Sequence, residues 1–277
     1  MGALDRAHLI EAAVGRYLDN NVAAWALALI IIGGAVIFVL VGHALVKRFL
    51  RTWLAESSGQ TVAGITAMVM TMFALLLAFV VVNLYNSYDS AVNNVALEAT
   101  SSSDLVRDSG NFPLPARGGI ERAVAQYVVQ VREHEFKTLS EGHPDPRAQQ
   151  LLDNLFHAVQ SYEPKTNAQQ AFYQAALDQL HAITDERENR IDAAETAIPD
   201  PLLYLIILLA VLTLATSLLI NTHHDGLDVA VVVVLAVVVS AGLYTAVVLQ
   251  YPFSGSIAVS SDPYYSPSLV QLVQKYT

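Results

Sequence analysis

Four apolar blocks, at residues 22–46, 62–85, 202–220 and 229–249, decide which environments this chain can occupy. At 1.5 Å of rise per residue, a helix of about 20 residues crosses roughly 30 Å of hydrocarbon. In lipid the backbone must satisfy its own hydrogen bonds, which admits only helices and closed barrels. The ten-residue alternation of a barrel strand is not repeated here, so each block is expected to be a helix. The valine-rich run 229–239 would favour strand in water. Burial in a bilayer overrides that preference. Composition agrees, at 54% hydrophobic and 14% charged residues, against about a quarter charged in a soluble domain.

The expected fold is an all-α integral membrane protein with four transmembrane helices and a helical-bundle extramembrane domain inserted between the second and third. The chain divides into an amphipathic N-terminal segment (1–21), a first transmembrane pair (22–85), the helical extramembrane domain (86–199), a second pair (200–250) and a tail (251–277). Asp5, Glu11 and Asp19 precede the first block, which is too long for a cleaved leader, so it is read as retained. The net charge of −10 lies mostly between Tyr85 and Pro199 and offers no basic surface to nucleic acid. Cysteine is absent, which removes disulfides, thiolate metal sites and thiol nucleophiles. Lys47, Arg48 and Arg51 between the first two blocks would place that loop in the cytoplasm. Arg6, Arg16, Arg187 and Arg190 lie on the opposite side, so orientation stays open.

Between the two pairs the periodicity is helical. No glycine or proline occurs from Ile65 to Ser109, so the second span should run on beyond the membrane to a stop at Gly110, Pro113 and Pro115. A helix over 119–139 should bury Ile120, Val124, Val128 and Val131, and a shorter one over 147–162 should bury Leu151, Leu155, Phe156 and Val159. Asn167 reads as the cap of a long helix reaching Pro199. Within it, Asp185, Glu186, Glu188, Arg187 and Arg190 read as a solvated, charge-paired face.

The long second helix carries the candidate site. At 100° per residue, Asn83, Ser87, Ser90, Asn94, Glu98 and Ser101 share one face, with Asn86, Asp89 and Asn93 on its flank. Traced back to membrane depth, the same line becomes Met72, Leu76 and Phe79. One reading is a helix leaving the bilayer whose polar face meets water. The other is a pore-lining helix repeated around an oligomer axis. In it Met72, Leu76, Phe79 and Asn83 form a neck, Ser87, Ser90, Asn94 and Glu98 hydrate ions, and Asp89 and Glu98 attract cations. Asn83 near membrane depth, and amides and hydroxyls where a wet face would carry Lys and Glu, favour the second. His223 and His224 with Asp225 and Asp228 read as a solvated turn. No phosphate-binding glycine loop, nucleophile motif or carboxylate pair is present, so no catalytic residue, metal site or cofactor is assigned.

After the last block stand Tyr251, Pro252, Phe253, Ser254, Gly255, Ser256 and Ile257, then Ser260, Ser261, Asp262 and Pro263. Together with the run 83–91, Phe112 to Pro115 and the Ile198-Pro199 break, this segment resembles the bacterial bestrophin-like domain family. The resemblance implies a homo-oligomeric, channel-like protein of the bacterial inner membrane, kin to the pentameric bestrophin ion channels, with the bilayer, further copies of itself and inorganic ions as partners. It makes Pro252, Phe253 and Gly255 the family turn and puts the middle domain in the cytosol, opposite to the loop charges. The acidic run that builds a calcium clasp in bestrophins is here Ser260, Ser261 and Asp262, so no calcium site is carried over. A non-conducting sensor or scaffold, whose acidic domain binds a partner or a divalent cation, is the alternative.

Overall fold

Without a breaker between Ile65 and Ser109, the chain builds one helix of 51 residues, α2 (Gly59–Ser109). At 1.5 Å per residue it is a rod about 75 Å long. The structure is a computed structural model that describes residues 16, 20, 22–49, 59–195, 198–219 and 225–276. The remaining elements are α1 (Ala24–Phe49), α3 (Leu114–Gln130), a π-turn (Val131–Glu135), α4 (Phe136–Ser140), α5 (Pro146–Gln160), α6 (Asn167–Glu195), α7 (Asp200–Ser217), α8 (Asp225–Leu249), a 3-10 turn (Asp262–Tyr265) and α9 (Pro267–Tyr276). Every regular element among the described residues is helical.

Two compact units result. The apolar one takes its residues from 18–86 and 197–250, and therefore α1, the first part of α2, α7 and α8. Here α1 and α8 are antiparallel neighbours. Tyr244 donates to the Ala24 carbonyl at 3.1 Å near one end, and Lys47 pairs with the buried Asp228 at 3.1 Å near the other. Phe73 and Val80 of α2 pack with Ile206 and Ala210 of α7 and Val239 of α8. Gly242 of α8 lets Leu77 of α2 come close, and Gly42 of α1 does the same for Leu218, the small-residue contact typical of helices packed in lipid. Large apolar side chains such as Ile30, Ile37 and Val234 stay exposed, as hydrocarbon-facing residues must. Three helices, Ala24–Phe49, Gln60–Ser109 and Gly226–Leu249, are long and apolar enough to cross a bilayer. The block expected over 202–220 forms a shorter apolar helix, Pro201–Ser217.

The second unit takes its residues from 1–17, 87–196 and 251–277. Its core joins Val95 and Leu105 of α2, Ile120, Val124 and Val128 of α3, Leu152 and Leu155 of α5, Leu180 and Ile183 of α6, and Tyr264, Leu269 and Leu272 from the C-terminal segment. Two expected ends move. α3 starts at Leu114 rather than near Gly119, because Pro115 falls in its first turn, where the missing N–H costs nothing. α6 is capped by Thr166 and not Asn167: the Gln169 amide donates to Thr166 Oγ1 at 3.2 Å, while Gln169 Oε1 accepts from the Lys165 amide at 2.8 Å. Asp145 caps α5 by accepting from the Arg147 amide at 2.8 Å. Gly142, with φ +88°, turns the chain beside the Arg16 side chain. Of the N-terminal segment only Arg16 and Asn20 are described, while Arg51, His223 and His224 lie outside the described residues.

Candidate functional site

The exposed residues of α2 follow the projected face at first and then leave it. Within the apolar unit, Met72 is 55% and Phe79 63% exposed, Asn83 follows one turn later, and Met68 and Leu75 stand on the same side. Leu76 sits on the shoulder of this line, half-buried beside the Phe73 and Val80 cluster. In the other unit Ser90, Asp89 and Asn93 are exposed, Ser87 and Asn94 are half-buried, and Glu98 and Ser101 are buried. The exposed crest therefore passes through the expected flank.

Glu98 is the main correction. It was expected to face ions, yet its side chain is fully enclosed. Arg190 of α6 holds it through Nε at 2.8 Å and Nη2 at 3.2 Å, and the Tyr127 hydroxyl of α3 donates to it at 2.6 Å. Arg190 also donates to Glu135 at 2.7 Å, and Glu135 accepts from Arg187 at 2.6 Å. The π-turn that closes α3 carries Glu135 into this cluster. Two carboxylates and two guanidiniums thus balance inside the helical unit. Burial first, and then the Glu98 carboxylate, push the Tyr127 and Tyr264 phenols well above their ordinary range, so both stay protonated. Burial opposes the Arg190 charge, but Glu98 and Glu135 outweigh it and hold the guanidinium above its usual range. The solvated face expected for Arg187 and Arg190 is thereby overturned. Its exposed members are Asp185 and Glu188.

Amide hydrogen bonds decide what the crest offers to solvent. Asn83 Nδ2 donates to the Phe79 carbonyl at 2.8 Å, and Asn93 Nδ2 donates to Asp89 Oδ2 at 3.3 Å. In each side chain one of the two amide N–H groups turns back onto α2.

The segment from Pro252 to Gly255 serves as an anchor within the helical unit. Pro252 and Phe253 are buried, with the Phe253 ring edge-on to Phe136 at 5.9 Å. The Ser254 hydroxyl donates to the Ser140 carbonyl at 2.8 Å, Val259 N bonds Pro252 O at 2.8 Å, and Gly255 supplies φ +76°.

Long apolar helices joined to a water-soluble type of helical bundle define an all-α membrane protein. Residues 33–264 match the bestrophin-like domain, and the chain belongs to that family. Among solved structures it is similar in fold to bacterial bestrophin homologues from Klebsiella pneumoniae. One point variant shares 11% identity at TM-score 0.70, over 89% of this chain and 98% of that one. Another shares 12% at TM-score 0.70, over 91% and 98%. A further structure, described as a membrane protein, shares 14% at TM-score 0.66, over 90% and 98%. No curated protein matches the sequence.

Proposed function

We propose that the protein is an ion-conducting homo-oligomer of the bacterial inner membrane, with α2 of each copy around a common axis. The observation that carries this reading is one exposed line on α2, apolar at Met72 and Phe79 and then amide and hydroxyl at Asn83, Asn86, Ser90 and Asn93. Lipid accounts for exposed Met72 and Phe79, but it does not account for an exposed amide face one turn further along the same rod. A water-filled path shared by several copies accounts for both, with Phe79 narrowing it by steric bulk and dewetting.

In this reading the chain crosses the bilayer four times. α7 is the shortest crossing and is completed by the residues that flank its apolar run. Met72, Phe79 and Asn83 form the neck with Leu76 beside them, and Ser87, Ser90 and Asn94 line the wider path. The likeness of fold to bacterial bestrophin homologues supports the same arrangement.

Purified protein in a planar bilayer tests it. Phe79→Ala should raise unitary conductance, because a methyl replaces a ring at the constriction. A wild type that assembles but carries no current, and a Phe79→Ala variant equally silent, would place the protein among non-conducting membrane scaffolds.

A further inference from the structure

We infer that Arg16 is a latch: its guanidinium fastens three of the four places where the chain passes between its two units, and it thereby sets how readily the channel changes state, the latter half resting on the conducting reading above. The chain makes these passages after residues 17, 86, 196 and 250. The one after 86 lies inside α2, where the helix itself carries the chain onward. Arg16, Ala194 and Tyr251 each stand within two residues of one of the other three. All three residues belong to the helical unit, and the Arg16 side chain meets both of the others there.

Three contacts define its socket. Arg16 Nη2 donates to the Ala194 carbonyl at 2.8 Å. That carbonyl lies in the last turn of α6, where no later amide of the helix reaches it. The same turn carries Asp192 and Glu195 and no basic residue, the wrong charge for the negative end of a helix dipole. Arg16 brings the missing cation from 178 positions away in the chain. Its guanidinium carbon also lies over the buried Tyr251 ring, 4.9 Å from the centroid. Gly142 is the third wall. A side chain there would take the place of Arg16 Nη1, so only glycine leaves the guanidinium its room.

A planar fork that donates from one edge and lies on a ring by its face suits this socket, and a compact ammonium does not do both. The consequence is kinetic. The passage after 196 leads into α7 and the one before 251 leads out of α8. For either to shift, Arg16 must first release the Ala194 carbonyl or the Tyr251 ring, and hinges of this kind sit at element ends.

Hydrogen exchange and single-channel recording on the full chain test the latch together. Arg16→Ala should speed amide exchange in the last turn of α6 and around Tyr251 by about fivefold, the range of a lost cation at a helix end. Amides of α3 should keep the wild-type rate, which shows that the bundle is folded. In a planar bilayer the same variant should keep the wild-type unitary conductance, because Arg16 is not on the exposed line of α2, and its open and closed dwell times should shorten severalfold. Arg16→Lys keeps the charge without the fork and should fall between the two. Unchanged exchange at both places in Arg16→Ala overturns the latch. Faster exchange with unaltered dwell times overturns its part in gating and leaves conduction standing. Silence of wild type and variants alike overturns the conducting reading and the gating role together, and the exchange rates then decide the latch by themselves.

Discussion

Removing the Arg190 guanidinium leaves Glu98 without its ion-pair partner and Glu135 with Arg187 alone, in a core that water does not reach. Breaking a buried pair from one side costs about 3–5 kcal/mol. Arg190→Met should therefore lower the thermal midpoint in detergent by on the order of 10 °C. The exposed control Asp185→Asn should stay within about 0.5 kcal/mol of wild type. Equal midpoints for the two variants would contradict the buried cluster. Both halves of this cluster were legible as spacing. Leu180, Ile183, Arg187, Arg190 and Ala194 recur at three and four residues, as do Ala91, Val95, Glu98, Ser102 and Leu105, and all are buried. The arginines and Glu98 occupy core positions of two facing seams. Charge alone had put them in water, and a fixed 100° step drifts from such a seam by about 20° per heptad. The π-turn that brings in Glu135 has no comparable signal in the residues that form it.

At the scale of elements, α9 is held by three buried apolar residues, Leu269, Leu272 and Val273, and by Glu121 of α3. Glu121 accepts from Lys275 at 2.6 Å and Tyr276 at 2.8 Å on one oxygen, and from Arg117 at 2.6 Å on the other. Burial raises its pKa, but these three hydrogen bonds outweigh burial and bring it from 4.5 to about 2. A carboxyl whose folded pKa is depressed contributes stability in full above its unfolded value, and the contribution fades as pH falls through the folded one. The anchoring of α9 should thus be whole above about pH 4.5 and lost towards pH 2. Pepsin cuts across that range. Glu121→Gln should release C-terminal fragments faster than wild type at pH 5, and the two rates should converge near pH 2. A constant ratio would show that Glu121 does not tie α9 down. The unbroken α2, the stop after Ser109 and the buried stripe of α3 could be read directly, because they depend on local breakers and a 3.6-residue period. The C-terminal anchor could not, since its partners lie 154 and 155 residues apart in the chain.

For the whole molecule, lipid explains exposed apolar side chains only in the apolar unit. Leu97, in the helical unit, is 51% exposed on α2, with the exposed Asn93 and Thr100 one turn to either side. This chain's own core does not cover it. In the proposed assembly it faces the neighbouring copies, on the crest shared with Phe79. Leu97→Arg should leave each chain folded, because the residue lies outside the core, while bringing one like charge per copy towards a common axis. In detergent the variant should shift from the oligomeric mass to smaller species at the same protein concentration, with its helical circular dichroism unchanged. High salt should restore part of the assembly by screening that repulsion, over a Debye length of about 3 Å at 1 M. A Leu97→Arg protein that keeps the wild-type mass at low salt would mean that α2 turns this face to solvent, and the axis would then have to be sought on another helix.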